Sequence, residues 1–419
     1  MLESFRSSPP ELFYRQPELT DPRIDMGEPA RIGDAMTIVS HSFGRPVDNE
    51  ELLKIALRFG LPSSDIPAAK TAIDATGFTT RYFSHPIEEA PDFAAAAELA
   101  STHGSLILRE SMESKKWDVI DMLIDTSAFL PCSVNQAILE KTGLDPKKVV
   151  SQSYRYACAG AIGAFIDCVA NKDIPRDARV VIAALEPLSI LINKSHFLTP
   201  SGLTIPSIFG NGYAALAFQP GNFELLQKEI LVQPDAGVIK IPTHYDFDQQ
   251  PSDNKAVPQH YQFGEGGEDI FRYSKTGAFL DITPPAPNLS IEMNGVETGL
   301  FFGDNTADLL INLLKKNGNP DLLRQLGEKN LIMHPASKAV VNRVAKLLLR
   351  SGYIDERYLP FLMDKAHQSN ASSATTLNRW RYMIENDLID TNQPMVWIAP
   401  GIGSAIAGAI GTVNPNSLE

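Results

Sequence analysis

Twice in this 419-residue chain, apolar runs that read as strands bracket a helical pattern led by one polar residue. In the first pass KKVVSQSY (147–154) precedes Cys158, a helix through AGAIGAFIDCVANK (159–172) and a strand ARVVIAALEP (178–187). In the second, KNLIMHPAS (329–337) precedes a helix through AVVNRVAKLLLRSG (339–352), and Asn370 heads a helix through LNRWRYMIEND (377–387) that leads into PMVWIAPG (394–401). Short apolar runs alternating with amphipathic stretches require helices laid over a sheet, so the chain is expected to be α/β. The recurrence predicts two similar half-domains, although the repeat is one of pattern and not of residue identity.

Upstream, MTIVSHSF (36–43) reads as a strand, NEELLKIALRFG (49–60) and DFAAAAELASTHGSLILRESM (92–112) as helices, and WDVIDMLIDTS (117–127) as a strand. The expected organisation is an extension over 1–34, a first half over 35–225 and a second over 226–419. The second half carries an insertion at about 243–290 that is rich in Pro, Gly and Asp; long insertions of this kind are usually functional or mobile.

The net charge of −13 argues against nonspecific nucleic-acid binding, which needs a basic surface to release counterions. An odd cysteine count (Cys132, Cys158, Cys168) without a CxxC pair suits neither a disulfide scaffold nor a structural zinc site, and no metal or cofactor is expected. The first 25 residues contain no apolar core of signal-peptide length, so a reducing cytoplasm is the expected setting. The uncharged stretch 395–413 contains Pro400 and four glycines, and reads as a strand, a tight turn and a second strand and not as a membrane span.

Three polar residues in apolar or glycine-rich surroundings form a candidate Cys-His-Asn triad. Cys158 lies among small residues at a strand-to-helix turn, where a helix N-terminus favours the thiolate, the nucleophilic form. Taken alone, a cysteine in such a segment is ordinarily a buried small hydrophobe, and Cys168 in the same helix fits that description. Cys132, after Pro131, is the alternative nucleophile. His334 closes the apolar run LIM and can aim its ring into a cleft. His367 competes with it from a more polar setting. Asn370 has the composition of a helix N-cap, and an amide held there can also donate to a developing oxyanion. Gly401 and Gly403 bracket Ile402 after Pro400, where missing side chains would let backbone N–H groups approach the thiol.

In this order the motifs resemble those of the β-ketoacyl synthase III family, over roughly residue 35 to the C-terminus. Ala157-Cys158-Ala159-Gly160 is similar to the family's ACAG nucleophile segment, and Phe209-Gly210-Asn211-Gly212-Tyr213-Ala214-Ala215 to its FGDGAGA. Met293-Asn294-Gly295 resembles an MNG helix start, His334-Pro335-Ala336-Ser337 the HQAN motif, Ser369 to Ala374 the GNTSSA motif, and Gly401-Ile402-Gly403 the closing turn. Any one match is weak; the ordered set is strong.

The resemblance implies a thiolase-like fold of two pseudo-duplicated α/β/α half-domains in a five-layered arrangement, and a homodimer. It implies that Cys158 takes an acyl group from a thioester on coenzyme A or an acyl carrier protein. A malonyl- or β-ketoacyl-type thioester would then condense with it, the malonyl type losing CO2, in a decarboxylative Claisen step. His334 and Asn370 would donate to the enolate oxygen, the backbone N–H groups of Cys158 and Ile402 would form the oxyanion hole, and Phe209, Gly210, Gly401 and Gly403 would contact substrate. The tryptophan and arginine with which the housekeeping enzyme grips coenzyme A fall here on Thr71 and Ala75, so a carrier-bound donor is expected, met by a local basic patch. Pro335 replaces the HQAN glutamine and Ser369 the glycine before the asparagine, which suggests a specialised relative in secondary metabolism. Competing readings are acyl transfer to an oxygen or nitrogen nucleophile, and a non-catalytic partner subunit. Chain length depends on how residues such as Phe209, Leu300 and Phe301 pack.

Overall fold

The computed structural model describes residues 28–41, 44–84, 93–127, 130, 133–154, 156–232, 239–242, 260–261, 271–274, 277–280, 292–293, 295–358, 369–401 and 405–418. The extension up to residue 27 and most of the 243–290 insertion lie outside these residues.

In the first half, strands β1 (Ala30–Ile32), β2 (Met36–His41), β3 (Arg45–Asp48) and β4 (Thr80–Phe83) surround helices α1 (Asn49–Phe59) and α2 (Ile66–Thr76). Then come α3 (Phe93–Lys115), β5 (Met122–Asp125), α4 (Ser133–Thr142), β6 (Val150–Ser153), α5 (Gly160–Ala170), β7 (Val180–Glu186), α6 (Thr204–Ile208) and β8 (Gly212–Phe218). The local signals are ordinary ones. Asp48 caps α1 by accepting from Glu51 N–H at 2.8 Å, and Gly60 closes it in the left-handed conformation.

The second half runs from β9 (Phe223–Val232) through five short strands, β10 (Ile239–Pro242), β11 (His260–Tyr261), β12 (Phe271–Ser274), β13 (Gly277–Leu280) and β14 (Glu292–Met293). It continues with α7 (Gly295–Lys316), α8 (Leu322–Leu326), β15 (Leu331–Met333), α9 (Lys338–Arg350), α10 (Ser372–Glu385), β16 (Met395–Gly401) and β17 (Ala405–Val413). The segment 395–413 is the expected pair of strands. Among the described residues no helix is long and apolar enough to cross a membrane.

The repeat seen in the sequence is a repeat of topology. The larger sheet has the order β1-β2-β8-β7-β5-β6, and the second sheet β15-β16-β17-β9. Within β2-β8-β7-β5 the strand first in the chain is followed in space by the fourth, third and second, and β9-β17-β16-β15 has the same order. Directions match too: β5 and β15 are parallel to β7 and β16, and the remaining pairs are antiparallel. Strands β7 and β8 are buried at every residue, as expected for strands covered on both faces.

Five layers result. Helix α3, with α4 against it, covers the outer face of the first sheet, and α7, with α9 against it, covers the outer face of the second. Helices α5 and α10 lie between the sheets; α5 touches β7, β9, β16 and β17, and α10 touches β2, β7, β8, β15 and β16. At their centre the Phe165 ring stands 5.5 Å from Trp380, 5.2 Å from Trp397, 5.3 Å from Phe218 and 5.0 Å from Phe223. One side chain of α5 thereby touches α10 and both sheets. Phe165→Ala is expected to cost about 3–5 kcal/mol by leaving a cavity no single element can close, read as a lowered urea midpoint.

Candidate active site

Between β6 and α5 the chain turns sharply. Ala157 has φ 44, a left-handed conformation costly for a residue with a Cβ, and Cys158 follows in a short 3-10 turn (Ala157–Ala159) that runs into α5. The turn is closed by Ala159 N–H donating to the Tyr156 carbonyl at 3.0 Å. Cys158 is buried, and it sits where the free N–H groups of the helix start favour negative charge. Gly401, the last residue of β16, abuts this turn. A Cβ there would lie within 2.7 Å of Ala159 N and closer still to the Tyr156 carbonyl, so only glycine lets the strand end approach the turn that carries Cys158.

Asn370 is held from both sides. Its N–H donates to the Ile208 carbonyl at 2.7 Å, and its carbonyl accepts from Gly210 N–H at 3.3 Å. Its side-chain Oδ1 accepts from Ser372 N–H at 2.8 Å, while Nδ2 donates to the Ala336 carbonyl at 3.2 Å. These anchors fix the amide's orientation, and the Cys158 thiol donates to Oδ1 at 3.8 Å. The N-cap of α10 is Ala371 and not Asn370, but the asparagine one residue earlier still satisfies a free N–H of the helix start through its bond to Ser372. Ser372 has φ 47, matching Ala157 at the start of the equivalent helix. The next residue, Ser373, is fully buried and donates its hydroxyl to Glu186 Oε1 at 2.7 Å, tying α10 to the end of β7; Thr126 donates to the same hydroxyl at 3.0 Å.

His334 follows β15, its N–H donating to the Ile398 carbonyl at 2.9 Å. Two residues further on, the Ala336 carbonyl takes the Asn370 amide bond, and Ser337 caps α9 by accepting from Val340 N–H. The HPAS segment thus ends a strand, touches the asparagine and starts a helix within four residues. The imidazole is buried; Nδ1 lies 3.0 Å from Thr376 Oγ1 on α10, and Nε2 has no hydrogen-bond partner among the described residues. Burial pulls its pKa down to about 3, so the ring is neutral at ordinary pH. It can donate or accept a hydrogen bond but does not supply an imidazolium beside the thiol.

A cavity of about 900 Å³ opens onto Cys158 and Asn370. Ile208, Phe209, Phe302 and Val340 line it with apolar surface, and Pro400 and Gly401 lie beside the thiol end. Helix α2 contributes Ala72, Ala75 and Thr76, and α9 contributes Arg343, Lys346 and Arg350. The α9 cations follow from helical spacing: Val340, Val341, Val344, Ala345 and Leu348 face inward, leaving Lys346 and Arg350 exposed. Arg343 is paired with Asp304.

Of the residues singled out in the sequence, the structure brings Cys158, Asn370, Phe209 and Gly401 to this cavity. His334 lies beyond its lining, joined to it through the Ala336 carbonyl and α10. Gly210 does not line the cavity either; a Cβ there would strike Ser369 Oγ and Arg81, so its smallness serves the packing of the asparagine loop. Leu300 lines the cavity as expected, but its aromatic neighbour there is Phe302 and not Phe301, although both rings pack with the first half's outer core. Cys132, Asn294, His367, Ile402 and Gly403 lie outside the described residues. Sequence reasoning passed over Thr376, Glu186 and Arg81, and gave Ser373 no role beyond its place in the asparagine motif. The buried Arg81 guanidinium donates to the Ser207 carbonyl at 3.0 Å and to Asn49 Oδ1 at 2.8 Å, bracing α6 just before Phe209, and burial draws its pKa down to about 10.

Two duplicated halves with paired buried helices, whose starts carry a cysteine and an asparagine at one cavity, define a thiolase-like fold. No family model matches this sequence and no curated protein matches it. Among solved structures the chain is similar to 1,3,6,8-tetrahydroxynaphthalene synthase, a type III polyketide synthase from Streptomyces coelicolor A3(2), with a TM-score of 0.64 and 16% identity over 93% of this chain and 99% of that one. A type III pentaketide synthase from Neurospora crassa gives 0.62 and 14% over 93% and 100%. The 3-oxoacyl-(acyl carrier protein) synthase III of Pseudomonas aeruginosa PAO1 gives 0.58 and 13% over 93% and 99%. At these identities the likeness is one of fold.

Gly401→Ala is expected to leave the protein folded but slow modification of Cys158 by a thiol reagent or acyl thioester about a hundredfold, since it displaces the turn that carries the thiol. The buried neutral histidine also fixes a pH dependence. An unfolded histidine takes its proton near about pH 6.5, and His334 resists it down to about 3. Between these values the unfolded chain binds more protons, so stability falls as the pH falls. Urea titrations between pH 6 and 4 should show a shallower loss in His334→Gln than in wild type.

Proposed function

We propose that this protein is a condensing enzyme of the β-ketoacyl synthase III kind, acting in specialised metabolism. The observation that carries the reading is the contact of the Cys158 thiol with an amide oxygen, Asn370 Oδ1, anchored on both sides, at the inner end of a cavity in a thiolase-like fold. Cys158 sulfur attacks the carbonyl carbon of an acyl thioester; the donor's sulfur leaves and takes the thiol's proton. A malonyl-type thioester then breaks its bond to the carboxylate, releasing CO2, and the electron pair becomes an enolate. The enolate carbon attacks the acyl-cysteine, forming the new carbon-carbon bond and returning the Cys158 sulfur.

This sequence needs donors and not a strong base, because the barrier to decarboxylation is the charge on the enolate oxygen. The second hydrogen of Asn370 Nδ2, at the cavity, suits that demand; a neutral His334 with a proton on Nε2 lies behind the lining and would add a second donor where the substrate reaches Nε2. The N–H groups of Cys158 and Ile402 would receive the tetrahedral oxyanions.

The cavity rim favours a donor on an acyl carrier protein. Ala72 and Ala75 of α2 offer no ring or guanidinium to hold a nucleotide base, whereas Lys346 and Arg350 place exposed positive charge at the mouth of a chain that is acidic as a whole. A homodimer is part of the reading: among the described residues β6 ends its sheet and its first three residues are exposed, which suits pairing with a second copy.

Intact mass after incubation with acyl thioesters tests the assignment. Wild type should gain the acyl mass and Cys158→Ala should not; an adduct persisting in the variant would place the nucleophile elsewhere. The double variant Lys346→Glu, Arg350→Glu should raise KM for a carrier-bound donor about tenfold, with a weaker dependence on salt, while thermal stability is unchanged.

A further inference from the structure

We propose that Thr376 is a positioning residue that selects the tautomer of His334, donating its hydroxyl to Nδ1 so that the ring's proton is held on Nε2. The inference rests on the reading of His334 as a donor to the enolate oxygen. Both groups are buried, and Oγ1 and Nδ1 are 3.0 Å apart. The pair can be arranged in two ways. If Nδ1 carried the proton, it would donate to Oγ1, and the threonine hydroxyl would have to find another acceptor. Among the described residues Thr376 Oγ1 makes no other hydrogen bond, so that arrangement buries an unsatisfied O–H, a costly state. If the hydroxyl donates to Nδ1, its proton is satisfied and the ring's single proton lies on Nε2, which is itself buried and without a partner among the described residues, so that only an enolate oxygen at Nε2 pairs every donor.

A ring held neutral by burial has one proton to place, so its tautomer decides whether it can donate at Nε2 at all. An Nε2 lone pair would repel an enolate oxygen; an Nε2–H stabilises it. Thr376 lies on α10, the helix that begins just after Asn370, so one helix would orient both donors. Nothing about its setting in the sequence SSATTLNRW marks it, because a threonine near a helix start is an ordinary residue there.

The test is histidine-selective 15N spectroscopy of the full-length protein, with the His334 signals assigned by their loss in His334→Gln. The wild type should show Nε2 protonated and Nδ1 bare; Nδ1 protonated would overturn the proposal without any variant. Thr376→Val should give a mixture of tautomers or the reversed one, and Thr376→Ser should restore the wild-type pattern. In parallel, CO2 release from a malonyl thioester should fall at least about tenfold in kcat in Thr376→Val, with KM and the rate of Cys158 acylation unchanged, and recover in Thr376→Ser. A valine variant that keeps both the Nε2 proton and the full rate of CO2 release refutes the role. If His334→Gln itself releases CO2 at the wild-type rate, the reading of His334 as an enolate donor fails, while the spectra still decide what Thr376 does to the ring. Should the valine variant not fold, the wild-type and serine spectra carry the decision.

Discussion

Two helices buried between two sheets are the constraint on which the rest of the structure depends. Helices α5 and α10 are mostly buried between the sheets, with Asp167 the exposed residue of α5 and Glu385 that of α10, so the polar groups they carry inward must find protein partners. Because the halves repeat one topology, the starts of the two helices meet. One presents Cys158 after a left-handed Ala157, the other Asn370 before a left-handed Ser372. The free N–H groups at those starts are what a thiolate and an anchored amide need, so packing and chemistry impose the same geometry.

The polar groups around that meeting point are arranged in depth. Asn370 is fixed by Ile208, Gly210, Ser372 and Ala336; α10 is fixed by Ser373 on Glu186; α6, just before Phe209, is braced by Arg81. Each bond satisfies a buried donor, and together they hold one amide to one orientation. The same buried setting keeps His334 neutral, which removes it as a source of positive charge and leaves hydrogen bonding as its contribution.

Much of this was legible in the sequence where the signal is local. The strand, turn and helix around Cys158, the strand before His334, the helix after Asn370 and the paired strands 395–413 all follow from short apolar runs with small residues between them. Gly401 could be read as a point of close approach, and the structure shows its neighbour to be the turn that carries Cys158. What stayed hidden depends on pairing between distant segments. Glu186 ends an apolar strand, Thr376 sits in a polar helix start and Arg81 in an ordinary short strand; only the fold makes them partners of Ser373, His334 and Ser207. Phe301 and Phe302 are adjacent in sequence, and helical rotation alone decides which one faces the cavity.

The central claim is that a carbon-carbon bond forms at Cys158 with loss of the malonyl carboxylate. Supplying an acyl donor with a malonyl thioester labelled with 13C separately at each malonyl carbon tests it most directly. The account predicts that label from the free carboxylate appears as CO2 while label from the methylene and thioester carbons appears in a β-ketoacyl product, and that Cys158→Ala abolishes that product. Transfer of the intact acyl group to an oxygen or nitrogen nucleophile, with no labelled CO2 released, would contradict it.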